Sequence, residues 1–454
     1  VLTGMSMQYF GTGEYPYKTI LKQTDCESIA ADLSQIGYGT HVVHNNTATF
    51  YSRNNAFSMM GFDTFTSKEC MNISQYTPNG NWPTDDVLVQ ETVKAMNATE
   101  NQSDFVYTIT VEGHGDYPTE KVLENPDILV SGAADEASNN QWEYYVNMIH
   151  EVDDFIGDLI TAVDRRGEDT IIVFFGDHLP TMGLTDADMK SGDIFKTKYI
   201  TWNNMGLAKK DADLTAYQLL AHITDQSGIH EGTMFRYHQT QTASETYLSG
   251  LEDLQYDLLY GKRYSYGGED RFPASDLVMD VEDVTVSSVR KNTSNNTLTV
   301  YGANFTKNTK IFVNGNKVPT TFLTSNLITT SLDNVQNGDT ITVNILGSKS
   351  LLLRAGTGEV VYEDPDIVPE TEDPTEIPET SATEMKNTET ENSEMKSSET
   401  ESSEMKSSEM KSSETESSEM KSSESENSET GSSETTSKAD SSAVTSRAAS
   451  DTNN

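Results

Sequence analysis

Residues 170–180 read TIIVFFGDHLP, an apolar run that stops abruptly at Gly-Asp-His. Ile171 to Phe175 are too few for a helix and too continuous for a strand with one wet face. They predict a strand buried on both faces, as in a parallel sheet. Gly176 then lets the backbone turn, so that Asp177 and His178 emerge at the carboxyl end, where open α/β sheets place their ligands. A carboxylate beside an imidazole there suits a divalent metal of intermediate hardness, such as Mn2+ or Zn2+. Taken alone, the pair has an equally simple structural reading, in which Asp177 caps a turn and His178 packs.

The surrounding pattern extends the α/β reading. Ile29, Leu33 and Ile36 recur at helical spacing within residues 28–36, Gly37 stops that helix, and Thr40 to Val43 resume as a strand. The polar loop from His44 to Arg53 follows that strand's end, and Arg53 offers the fork that matches phosphate bidentately. A second buried strand is predicted over Phe105 to Val111, ending in Glu112-Gly113-His114-Gly115. Next comes a helix from Trp142 to Arg166, with Tyr145, Ile149, Val152, Ile156, Leu159 and Val163 on one face. It leads directly into the Thr170 strand, and a strand at 196–202 followed by a helix at 216–223 continues the alternation. Alternating strands and helices predict a three-layer α/β/α sandwich.

Beyond Pro273 the periodicity changes. Short alternating runs such as TLTVYGANF, TKIFVNGNKV and DTITVNIL, with turns at Asn314-Gly315 and Asn337-Gly338, predict a small Ig-like all-β sandwich. It holds no His or Cys, which argues against a catalytic part. The last segment repeats SSEMKSSETE, whose Ser, Glu, Thr and Lys cannot bury enough surface to offset backbone ordering, so a disordered acidic tail is expected. The expected boundaries are 1–271, 272–358 and 359–454.

Charge narrows the partners. The formal net charge is -41, of which 25 acidic and 7 basic residues from Val361 onward contribute -18. The remainder is still acidic, which argues against nucleic acid, because neutralising phosphates takes clustered Lys and Arg. Cys26 and Cys70 are the only cysteines, consistent with a fold that does not depend on disulfides. The chain opens on Val1 in mid-pattern, and we expect it to be an N-terminally truncated piece.

Taken in order, the blocks EYPYKTIL, GYGTHVVHNNTATFYSRNNAF with GFDTF, WPTDD, TITVEGHGDYP, the helix containing Asp153, and TIIVFFGDHLP resemble the lipoteichoic acid synthase branch of the sulfatase and alkaline phosphatase superfamily. The resemblance covers roughly Val1 to His230. It implies an extracellular, membrane-tethered enzyme that uses Mn2+ or Mg2+ to move glycerol phosphate from phosphatidylglycerol onto a cell-envelope glycopolymer. By position, Asp177 and His178 match two of four metal ligands, and His114 matches a histidine at the phosphoryl or leaving group. His44 and Arg53 match residues of the glycerol phosphate pocket. Tyr51 stands where these synthases commonly have Trp, and Asn46 where they have Asp. The family's nucleophilic threonine and a further carboxylate ligand lie upstream of the stretch resembling VLTGMS, and Thr3 comes too late to be that nucleophile. Within the same superfamily a phosphoethanolamine transferase, phosphodiesterase or sulfatase is the alternative; outside it, a non-catalytic glycan-binding surface protein.

Overall fold

The computed structural model describes residues 1–99 and 101–367, so the expected tail lies outside the described residues. The chain begins with α1 (Ile29–Gln35), capped by the Ser28 hydroxyl on the Ala31 amide, and β1 (Gly39–His44). After them come α2 (Arg53–Met59), β2 (Thr64–Ser67), α3 (Val87–Met96) and β3 (Asp104–Ile109). A long α4 (Glu136–Arg166) leads to β4 (Ile171–Phe175) and β5 (Tyr199–Asn203). Three helices, α5 (Leu219–Gln226), α6 (Thr233–Gln241) and α7 (Tyr247–Leu259), complete the α-rich part before β6 (Val278–Met279).

The first sheet is parallel, in the order β3-β1-β2-β6. Its central strand β1 is buried at every residue. Alternate side chains serve opposite layers, as a strand's period of two requires. Val42 joins a core with Ile29, Leu33, Phe57 and Phe65 under α1 and α2, while Val43 joins Leu88, Phe155, Leu159 and Val163 under α3 and α4. This is the three-layer arrangement expected from the alternation.

Two details differ from expectation. The Thr170 strand was expected in a parallel sheet and buried on both faces. Instead β4 pairs antiparallel with β5 in a separate two-stranded ribbon, and each of its residues is only half-buried. Ile172 and Phe174 pack on the α4 side, whereas Ile171, Val173 and Phe175 belong to neither buried core. An apolar run reports that a strand avoids water but not which neighbour it pairs with. The second difference is the buried stripe of α4, which runs through Tyr144, Met148, Phe155, Leu159 and Val163, while Ile149 is 41% exposed. Polar residues explain the rotation. Asn147 is buried because it exchanges hydrogen bonds with the backbone of Ile128, and Glu143 because it accepts from the Val130 amide. Spacing of apolar residues alone cannot see a loop laid along the helix.

The all-β part forms two antiparallel sheets. One holds β7 (Thr285–Asn292), β8 (Thr297–Ala303), β11 (Thr321–Thr324) and β12 (Leu327–Ser331). The other holds β9 (Thr309–Val313), β10 (Asn316–Lys317), β13 (Thr340–Leu346), β14 (Leu352–Ala355) and β15 (Val360–Val361). The Asn314-Gly315 turn between β9 and β10 has both φ angles positive, at 48° and 78°, as the tight hairpin turn needs. The sandwich is anchored to the α/β part: the Thr306 hydroxyl donates to Glu69 O at 2.7 Å, and Arg354 donates to Met279 O at 3.0 Å.

Candidate active site

The carboxyl ends of β1, β3 and β4 converge. His44 is the last residue of β1, His114 lies five residues beyond β3, and Asp177 and His178 follow β4. The His114 and His178 rings meet edge to face at 6.0 Å. Gly115 and Thr181 also approach, since a Cβ on Gly115 would lie 3.6 Å from the Thr181 hydroxyl. Two sheet fragments thus present one set of side chains, although β3 and β4 do not pair with each other.

His44 is 1% exposed. Its Nδ1 lies 2.8 Å from the carbonyl of Ile109. A carbonyl can only accept, so Nδ1 carries the proton and Nε2 is a bare lone pair. That Nε2 is buried with no hydrogen-bond partner. Burial, reinforced by the charge of Arg53, pushes the imidazole pKa down to about 3, so the ring stays neutral across the physiological range. A buried acceptor left open in this way can accept a hydrogen bond from an O–H or N–H that reaches it.

Arg53 opens α2. Among the described residues its side chain makes one hydrogen bond, a long one, 3.5 Å from Nη1 to Thr47 O. Among the described residues no carboxylate pairs with it, although it is half-buried, and burial lowers its pKa. A desolvated guanidinium without a counter-charge is costly unless an anion arrives. Tyr107, half-buried on β3, links it to the second fragment: desolvation and then Asp177 raise its phenol to about 12, while Arg53 pulls the other way. Asn46 sits at the loop's start with its Oδ1 accepting from the Thr47 amide at 2.7 Å, and Tyr51 stands 37% exposed at the rim.

At the position where the sequence predicts metal ligands, the Asp177 Oδ1 accepts from the His178 amide at 2.8 Å, and His178 Nδ1 donates to Leu179 O at 2.8 Å. His178 Nε2 is therefore the free lone pair, with Asp177 Oδ2 beside it at 3.8 Å. One imidazole nitrogen and one carboxylate are the right donors for a divalent cation, but among the described residues no group of three such ligands forms. The pair fits two positions of a site that needs at least four.

Sequence reasoning missed a buried network behind these loops. Asp85 is fully buried and accepts from Asn45 Nδ2 at 2.8 Å, the Val111 amide at 2.9 Å and the Glu112 amide at 3.1 Å. Its own amide donates to Glu112 Oε2 at 2.8 Å. One carboxylate therefore ties the residue after His44 to the residues just before His114. Burial raises Asp85 to about 6 despite these donors. Trp82 completes the support, packing edge to face on His114 at 5.2 Å while its indole donates to Gly115 O at 2.9 Å. The only signal in the chain was the WPTDD block.

A protein of Rhizobium meliloti (strain 1021), whose name provisionally assigns it to cyclic beta-1,2-glucan modification, is 26% identical over 306 residues. The match covers 58% of this chain and 47% of that protein, so the chain spans about half the length of this curated relative. The structure of Streptococcus pyogenes phosphoglycerol transferase GacH in complex with sn-glycerol-1-phosphate shares the fold, with a TM-score of 0.50 at 18% identity. That match covers 60% of this chain and 75% of GacH. The lipoteichoic acid synthase LtaP from Listeria monocytogenes aligns with a TM-score of 0.40 at 20% identity, over 52% of this chain and 60% of LtaP. An IPT/TIG domain model matches residues 284–357, the β-sandwich. The sulfatase model matches residues 1–245, more than half of the chain, and the protein therefore belongs to the sulfatase family.

Proposed function

We propose that the protein transfers glycerol phosphate from a phosphatidylglycerol-type lipid to a cell-envelope glycopolymer at the outer membrane face. The observation that carries this reading is the unpaired Arg53 guanidinium beside the open Nε2 of His44, with His114, Asp177 and His178 closing the same space. An anionic phosphoryl group with a hydroxylated substituent answers each of those unmet groups. The glycopolymer acceptor is supported by the name of the Rhizobium relative, and the glycerol phosphate by the blocks that resemble lipoteichoic acid synthases.

In this reading Arg53 clamps two phosphoryl oxygens, and His44 orients the glycerol moiety by accepting from a hydroxyl at Nε2. His114 protonates the departing lipid oxygen, a contribution of about 10^2 to 10^4 in rate. Asp177 and His178 Nε2 would hold Mn2+ or Mg2+ together with ligands from outside the described residues, and the ion would supply Lewis-acid neutralisation of the phosphoryl charge. The nucleophile is not among the residues named here.

The test is phosphatidylglycerol turnover by the full-length protein with Mn2+, comparing wild type with His114→Ala. A loss of about 10^2-fold or more is expected. Wild-type turnover in the variant would remove His114 from the mechanism, and hydrolysis of sulfate esters instead would move the protein to another branch.

A further inference from the structure

The rim of this site carries an aromatic platform with Lys18 that borders Arg53 and otherwise lies outside the groups that the transfer itself needs. Tyr15, Phe50 and Tyr51 are 57%, 48% and 37% exposed. Tyr15 and Tyr51 lie nearly parallel, with centroids 5.9 Å apart and planes at 17°, and Phe50 abuts Tyr51 at 4.3 Å. Lys18 Nζ stands 4.0 Å from the Tyr51 centroid and 4.8 Å from that of Tyr15. The Arg53 guanidinium lies 5.0 Å from the Phe50 centroid. Lys18 and Arg53 have no carboxylate partner among the described residues.

Burial did not put these rings here. Tyr51 and Ser52 both have left-handed backbone, with φ of 55° and 57°, a conformation that costs a non-glycine residue on the order of 1–3 kcal/mol. That strained turn keeps Phe50 and Tyr51 facing water, next to the guanidinium that would hold phosphate. Exposed rings held at a cost beside a reactive site are a binding feature.

We propose that this platform binds the sugar rings of the acceptor glycan, with Tyr15, Phe50 and Tyr51 stacking on pyranose C–H faces and Lys18 taking a ring hydroxyl. The proposal deepens the reading above and rests on it for the identity of the acceptor. A pyranose matches the surface on both counts: its C–H face covers an aromatic face, and its hydroxyls reach the phenols and the ammonium. An acyl chain matches less well, because it would strip water from Lys18 and Arg53 and give nothing in exchange.

The test titrates the 454-residue chain with a short linear β-linked gluco-oligosaccharide, followed by calorimetry and saturation-transfer NMR. In parallel, sn-glycerol phosphate and phosphatidylglycerol vesicles are titrated separately. Wild type should bind the oligosaccharide with saturation transferred to sugar C–H protons. Tyr15→Ala and Phe50→Ala should each weaken it by roughly tenfold, while Tyr15→Phe, which keeps the ring, should retain most of the affinity. Tyr15 is exposed and outside both cores, so Tyr15→Ala should fold and bind sn-glycerol phosphate as wild type does. No oligosaccharide binding by wild type, or binding unchanged in both alanine variants, would overturn the platform. So would a Tyr15-dependent affinity for vesicles without any for the sugar. If the sugar binds through Tyr15 but sn-glycerol phosphate does not bind at all, the platform stands and the transferase reading falls.

Discussion

At the scale of single residues, the candidate site is defined by lone pairs that no described residue uses. His44 Nε2 is the clearest, since the Ile109 carbonyl fixes the opposite nitrogen as the donor. The expected outcome is that His44 does not titrate between pH 5 and pH 8. A histidine-resolved NMR titration should show its ring nitrogens flat through that window, with Nδ1 protonated throughout. A midpoint near neutrality would mean that the pocket is open to water and that Nε2 is not held free. The sequence nominated this residue, Arg53, His114 and the Asp177-His178 pair, because residues at and just past strand ends sit where α/β sheets gather ligands. It could not show Tyr15 and Lys18 meeting Tyr51, because that contact joins a loop 36 residues upstream by tertiary packing alone.

At the scale of elements, the loops after β1 and β3 are fastened to each other through Asp85. Asp85→Asn would turn its amide nitrogen either toward the Glu112 amide or toward the Val111 and Asn45 donors, leaving a buried group unmet and costing about 1–3 kcal/mol of stability. Turnover of the full-length protein should fall by roughly 10^2-fold, as small misplacements of catalytic groups do. Asn45→Ala, which removes one strut only, should produce a smaller loss in the same direction. If Asp85→Asn lowers the melting temperature but the folded protein turns over normally, Asp85 is a fold residue only. None of this was readable in advance, since periodicity reports which faces are apolar and is blind to a carboxylate that bridges two loops. The same blindness misplaced the buried stripe of α4, where Asn147 and Glu143 are kept inside by backbone partners. The apolar strands themselves were legible, but the antiparallel partner of β4 was not.

At the scale of the whole molecule, an acidic chain has also buried acids. Asp32 is 1% exposed with neither oxygen hydrogen-bonded, and burial, then Glu27, raises it to about 9. Glu112 is raised to about 9 as well, by burial and then by Glu151. Both folded pKa values lie above the unfolded ones, so the folded state binds more protons between about pH 4 and pH 9. The stability these groups contribute is therefore present in acid and lost as pH rises through that window. The melting temperature should be higher at pH 5 than at pH 9, and Asp32→Asn should flatten the slope, by about 2–4 °C for each kcal/mol involved. A melting temperature that climbs steadily from pH 5 to pH 9 would contradict the buried acids.

The split sheet has a practical consequence. Among the described residues, β3 and β4 each pair on one side only, and on the other side each offers a row of amides and carbonyls with apolar side chains above and below. Such edges recruit strands from any neighbour that supplies them. A concentrated preparation of this chain would behave as a sticky solute, its sedimentation and light scattering drifting with concentration and time. A short peptide of extended, β-branched sequence should suppress that drift by pairing with one of these edges.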